Sequence, residues 1–284
     1  MDALKISGLH KSFKDFALED IDFCLPKGMI GGLIGANGAG KTTLIKCILG
    51  LLYPEGGTVE ILGKTLNTGG KELREHIGVV LDGFEGFGYM TAKEINFIMS
   101  RSLRTWDKDR FYGYLDRFHL KDNKQTKDFS KGMRMKLSIA IALSHDSKLL
   151  ILDEATSGLD PIVRDEILEI FQEFVQNEEH SVLISSHILS DLEKICDYIT
   201  FMHQGRITLS DSKDALLERY VIVRCTEEDL AALPKEAVAG IRRHAFGVEA
   251  LVLREAVSKD MVTDRASLED IMLFMVREGQ VWLA

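Results

Sequence analysis

The chain has 284 residues, 45% hydrophobic and 28% charged, an ordinary balance for a globular protein with room for one large domain and a smaller one. Its net charge of −9 and pI near 5.5 argue against a general nucleic-acid binder, which needs a basic surface. No run approaches the roughly 18 apolar residues of a membrane span, and Met1-Asp2-Ala3-Leu4-Lys5 lacks a signal-peptide core, so a role at a membrane would require docking through another protein.

Short alternating stretches such as Leu4-Lys5-Ile6 and Ile21-Asp22-Phe23 predict strands within residues 2–34. Met29 to Ile34 reads as a buried strand. It runs into Gly35-Ala36-Asn37-Gly38-Ala39-Gly40-Lys41-Thr42, which fits the phosphate-loop pattern G-x-x-x-x-G-K-[ST] at every specified position. Beyond it, Leu44, Ile45, Ile48 and Leu52 recur at helical spacing. Strand, glycine loop and helix are the context this motif requires. Backbone N–H groups must converge on phosphate oxygens, so side chains must be absent where the backbone turns, as Gly35, Gly38 and Gly40 provide. The helix N-terminus adds partial positive charge. Lys41 is expected to reach the β/γ-phosphates of a nucleotide and the Thr42 hydroxyl to hold Mg²⁺.

Val59 to Leu62 and Ile77 to Leu81 are further strand candidates, and from about residue 85 to 145 the pattern turns helical. Thr91-Ala92-Lys93-Glu94 is a capping box opening one helix; residues 107–119 and Ser130 to Ser144 predict two more. Leu149 to Leu152 reads as a buried strand ending in Asp153 and Glu154. Asp160-Pro161 starts a helix carrying Ile167, Ile170, Phe171 and Phe174, and Ser181 to Ser186 is the next strand. Strands alternating with helices predict a mostly parallel sheet covered on both faces. Near residue 220 the composition shifts to short β-like runs, Tyr220 to Cys225 and Ala250 to Arg254, and a final amphipathic helix capped by Ser267. Residues 221–284 are read as a small α+β domain or a packed extension. Cys24, Cys47, Cys196 and Cys225 form no C-x-x-C pair and are expected to be buried and reduced.

Four apolar residues push Asp153 and Glu154 to the carboxyl edge of the sheet, where ligands bind in such folds. There Asp153 would hold Mg²⁺ and Glu154 would act as general base on an attacking water. Phe129-Ser130-Lys131-Gly132-Met133 opens a helix, so Ser130 and the amides after it form an anion site. His187 ends the Ser181-to-Ser186 strand at the same edge as Glu154, within reach of a γ-phosphate.

Together these motifs resemble the ATP-binding subunits of ABC transporters, over residues 1 to about 215. Gly35 to Thr42, with Thr43 beyond, looks like the Walker A loop, Leu149 to Glu154 like Walker B with its catalytic glutamate, Phe129 to Met133 like the signature, Ser157 to Asp160 like the D-loop, and His187 like the switch histidine. Phe13 falls where the family keeps an aromatic against adenine. The resemblance implies a P-loop NTPase core (residues 1–220) with an N-terminal antiparallel β subdomain and a helical signature subdomain. It implies Lys41, Glu154 and His187 as catalytic residues. Phe13, Gly35, Ala36, Asn37, Gly38, Ala39, Gly40, Lys41, Thr42, Thr43, Ser130 and Gly132 would bind ATP; Thr42, Asp82 and Asp153 would bind Mg²⁺. It further implies a second ATP-binding domain in a homodimer or heterodimer, polytopic membrane subunits touching the helical insertion, no nucleic acid, and a peripheral place on the cytoplasmic side of the membrane.

Two departures stand out. The family signature usually reads Leu-Ser-Gly-Gly-Gln, so Lys131 replaces a glycine, and the glutamine usual after the Ile77-to-Leu81 strand is Asp82. Such departures are similar to Gram-positive exporter ATPases for peptides and antibiotics. The alternatives are a non-transport ABC ATPase acting on ribosomes or DNA, and a small phosphate-loop kinase. Between Gly83 and Met90, Phe84, Phe87, Tyr89 and Met90 either pack the insertion onto the core or form a docking surface for a membrane subunit.

Overall fold

A computed structural model of the chain describes residues 2–83, 87–244, 247–258 and 261–277, so Phe84 of the aromatic loop lies outside the described residues. Strands β1 (Asp2–Ser12) and β2 (Ala17–Pro26) pair antiparallel. Along β2 the buried Ile21, Phe23 and Leu25 alternate with exposed Asp20, Asp22 and Cys24. That period of two corrects one expectation: Cys47 and Cys196 are buried and Cys225 is half-buried, but Cys24 falls on the solvent face. Strand β3 (Ile30–Ile34), buried throughout, leads through the glycine loop into α1 (Lys41–Ile48). Then come β4 (Gly56–Ile61), β5 (Lys64–Thr65), α2 (Leu66–Arg74, kinked at Gly70) and β6 (Ile77–Val80).

Helices α3 (Ala92–Ser102), α4 (Lys108–Arg117) and α5 (Lys131–Leu143) follow. Thr91, Asp107 and Ser130 cap them by accepting from the N–H of Glu94, Arg110 and Met133. Next are β7 (Leu149–Asp153), α6 (Pro161–Phe174, capped by Asp160), β8 (Ser181–Ser186), α7 (Leu189–Ile195), β9 (Tyr198–His203), β10 (Arg206–Ser212) and α8 (Lys213–Arg219). The remaining described elements are β11 (Tyr220–Cys225), α9 (Glu227–Ala232), β12 (Val238–His244), β13 (Gly247–Leu253), β14 (Val262–Arg265) and α10 (Leu268–Arg277).

Among the described residues the strands form three sheets, ordered β2-β1-β4-β5, β10-β9-β3-β8-β7-β6 and β12-β13-β11-β14. The first and third are antiparallel; the central one is parallel except for its edge strand β10. Central strands are apolar throughout because each face has its own core. On β7, Leu149 and Ile151 join α1 and the N-terminal sheet, while Leu150 and Leu152 join the helices of the opposite face. Helix α1 is therefore sandwiched between two sheets, which fixes its N-terminus at the carboxyl edge of β3. The C-terminal sheet has a small core of its own against α9. Its other face is covered by α10, whose Leu268, Ile271 and Phe274 are continuous with the buried residues of α7.

One turn locks the N-terminal sheet to the central one. Between β9 and β10, Gln204 (φ 46°) and Gly205 (φ 80°) are both left-handed, the geometry of a two-residue hairpin turn. The Gly205 N–H donates to Ala39 O of the glycine loop (2.9 Å), and its carbonyl accepts from Glu19 N (2.9 Å). A Cβ here would stand 1.7 Å from Ala17 O. Gly205→Ala should therefore cost ~2 kcal/mol or more, measured as a lower urea midpoint at unchanged slope.

Candidate active site

The loop between β3 and α1 turns through left-handed Gly38 (φ 83°) and Gly40 (φ 110°), and a Cβ on Gly40 would meet the Phe16 ring at 2.8 Å. Helix α1 begins without a side-chain cap and without an acidic residue in its first turn, so its leading N–H groups stay open to an anion. They face a cavity of about 680 Å³ lined by residues 36–43 together with Asp15, Phe16, Asp82, Glu154, Ser157 and His187. One cavity thus brings together Ala36, Asn37, Gly38, Ala39, Gly40, Lys41, Thr42, Thr43, Asp82, Glu154 and His187, all expected at the site from the sequence.

Lys41 is 6% exposed. Its Nζ donates to Gly35 O (2.7 Å) and, more weakly, to Ala36 O (3.5 Å), and lies 3.4 Å from Glu154 Oε1. The other Glu154 oxygen lies 2.6 Å from His187 Nδ1. Glu154 itself is left-handed (φ 51°), a conformation a non-glycine residue holds only when its surroundings impose it. They do so here through its N–H, which is shared between the carbonyl and hydroxyl oxygens of Ser185, both at 3.1 Å. Beneath it, Asp153 is 2% exposed, and both its oxygens accept hydrogen bonds, from Thr42 Oγ1 (2.8 Å) and Ser185 Oγ (2.6 Å). Parallel pairing of β7 with β8 sets Asp153 opposite Ser185 and explains the meeting.

Behind the loop after Glu154, burial pushes the Asp191 carboxyl above its ordinary value, opposed by the Thr156 hydroxyl and the Arg164 guanidinium. The stability linked to a raised carboxyl runs opposite to that of an ordinary salt-bridged aspartate. The folded state holds the proton more tightly, so this group opposes folding increasingly as pH rises past its unfolded value.

The remaining predicted residues lie elsewhere. Phe13, in the β1–β2 turn, is 45% exposed with its ring 6.3 Å from Phe16, and it is Phe16 that lines the cavity. Ser130 caps α5 outside the cavity, accepting from Met133 N at 3.2 Å. Gly132 beside it would tolerate a Cβ, whose nearest neighbours, Leu159 and Val163, are at 3.6 and 3.9 Å. Among the described residues no packing requires glycine at that position. Asp15, Phe16 and Ser185 were missed. The first two belong to a turn with no pattern of its own, and Ser185 becomes meaningful only through its register with Asp153. Among the described residues no three His, Cys, Asp or Glu side chains gather as a self-sufficient metal site.

A phosphate loop on a parallel sheet edge, with an acid–lysine–histidine cluster beside it, defines a nucleotide-hydrolysing P-loop protein. The ABC transporter family model matches residues 18–157. NatA, an ABC transporter ATP-binding protein of Bacillus subtilis, is 35% identical over 71% of this chain and 84% of its own length. The lantibiotic transport ATP-binding protein SrtF of Streptococcus pyogenes is 36% identical over 74% of this chain and 91% of its own. A solved ATP-binding subunit of an ABC transporter superposes with a TM-score of 0.67 and 29% identity, covering 75% of this chain and 91% of that one. The chain belongs to the ATP-binding proteins of ABC transporters, binds nucleotide and is an ATPase coupled to transport.

Removing the Lys41 ammonium deletes the only charge-assisted donor of the glycine loop. Lys41→Ala should weaken binding of a fluorescent ATP analogue by roughly 100-fold without lowering the thermal midpoint to match. Parental affinity in the variant would overturn the role given to this loop.

Proposed function

We propose that this chain is the ATP-hydrolysing subunit of an exporter, paired with a second ATP-binding domain beneath separate membrane subunits at the cytoplasmic face of the membrane. The observation that carries the chemistry is the Glu154 carboxylate held between the Lys41 ammonium and the His187 ring at the cavity wall. In this reading Lys41 exchanges backbone carbonyls for β- and γ-phosphate oxygens. Glu154 takes a proton from the attacking water as the new bond to the γ-phosphorus forms and the bond to the bridging oxygen of ADP breaks. His187 orients the carboxylate and the water. Phe13 and Phe16 are the aromatic residues available to an adenine ring.

The Thr42 hydroxyl and the Asp153 and Asp82 carboxylates are hard oxygen donors of the kind Mg²⁺ takes, and with too few protein ligands for a closed site the phosphates would complete its shell. Bound magnesium supplies neutralisation of the developing charge on the β- and γ-oxygens.

Ser130 and Gly132, open at the head of α5, are assigned to the nucleotide of the second domain, which supplies a reason for a glycine that this chain's own packing does not demand. The membrane subunit is assigned to the groove between Phe87–Tyr89 and α5, a cavity of about 210 Å³ bordered by Lys127, Arg134, Leu137 and Ile141, with Tyr89 79% exposed at its rim. Residues 1–220 are then the ATP-binding domain and 221–284 an accessory unit. SrtF is named for lantibiotic transport, which supports a peptide or antibiotic cargo and the export direction.

Glu154→Gln should retain ATP binding, lower turnover by roughly 100-fold or more, and form a dimer with ATP visible by light scattering. Turnover at the parental rate would remove Glu154 from the role of base. Affinity purification from detergent-solubilised membranes should bring down a polytopic membrane protein in constant ratio. Recovery with ribosomal or DNA-bound proteins instead would overturn the transport assignment to this particular assembly.

A further inference from the structure

The two departures from the family pattern meet in space. Asp82 stands where a neutral glutamine is usual and Lys131 where a glycine is usual, one on the loop after β6 and the other at the first turn of α5. Lys131 Nζ lies 3.9 Å from Asp82 Oδ1. The same ammonium lies over the loop that follows Glu154, where a Cβ on Gly158 would come within 3.0 Å of it. Ser130 and Gly132, its neighbours in the chain, are outside the nucleotide cavity, whereas Asp82 and Ser157 line it. Lys131 does not line the cavity itself, but its ammonium borders the two loops that carry Asp82 and Ser157.

We infer that Lys131 is a positioning residue for its own chain's nucleotide site, where it offsets the charge that Asp82 adds. The inference rests on the assignment of the cavity to nucleotide. Its wall already carries Asp15 and Glu154, and Asp153 lies behind Thr42. A further carboxylate in place of a neutral amide repels the polyphosphate that must enter. A cation arriving from the neighbouring element cancels that repulsion and leaves the carboxylate oxygens in place. Both side chains are about half exposed, at 48% and 49%, so the coupling is modest and screened by salt.

The test is a double-mutant cycle read by equilibrium titration of a fluorescent ATP analogue with Mg²⁺, on the full chain, with thermal unfolding as a check of folding. At low ionic strength Lys131→Met should weaken binding about three- to five-fold, and Lys131→Arg, which keeps the charge, should bind like the parent. Asp82→Gln serves as the background without the carboxylate, and adding Lys131→Met to it should change affinity by less than about two-fold. The Lys131→Met defect should fade at about 1 M salt, where the Debye length is about 3 Å. An equal loss on Lys131→Met whether residue 82 is Asp or Gln would mean that Lys131 acts on phosphate directly, and would overturn the pairing; so would no loss at all. Absence of analogue binding by the parent would overturn the site assignment as well, whereas normal parental binding with independent single effects overturns the inference alone.

Discussion

The Asp153 carboxylate is the point on which the site hangs. A carboxylate this deeply buried must have its oxygens satisfied, and here one accepts from Thr42 at the head of α1 and the other from Ser185 on β8. One residue at the end of β7 therefore joins the phosphate-loop helix to two strands of the central sheet. The same Ser185 holds the Glu154 backbone in its left-handed turn, so that Asp153 and Glu154, adjacent in sequence, point to different tasks. One is locked into the sheet edge; the other is swung out between Lys41 and His187.

Much of this arrangement is legible in the sequence because it follows from local rules. The glycine loop needs absent side chains, the Thr91 and Asp160 caps declare their helices, and β7 and β8 are apolar runs too short for helices. What is hidden is hidden for physical reasons. The seven-residue α7 and the kinked α2 are too short or too glycine-rich for a helical period to show. Edge strands β10 and β14 carry few buried residues, so no alternation marks them. Phe16 lines the cavity through the pairing of β1 with β2, a long-range consequence invisible at the level of a turn. Cys24 goes the other way: reading cysteine as an apolar residue misses the strand period that puts it outside.

Charge is unevenly distributed around this site, and that shapes what the cavity accepts. Its strongest cation, Lys41, is buried and engaged by carbonyls and by Glu154, while several carboxylates face the opening. Beyond Lys41, affinity for a polyanion must then come from backbone N–H groups and the helix end rather than from a field of lysines. Such a site recognises the shape and close approach of a phosphate chain more than its charge at a distance.

The packing of α10 gives the C-terminal region a mechanical standing. Helix α7 begins two residues after His187, is only seven residues long, and has no side-chain cap at its start. A helix that short has little stability alone, so its position is set by what it leans on. It leans on α6 and β3 on one side and, through Leu192 and Ile195, on a core that includes Leu268, Ile271 and Phe274. Helix α10 is thus a strut behind the histidine at the active site, and the aim of His187 depends on a helix that carries none of the nucleotide-binding motifs.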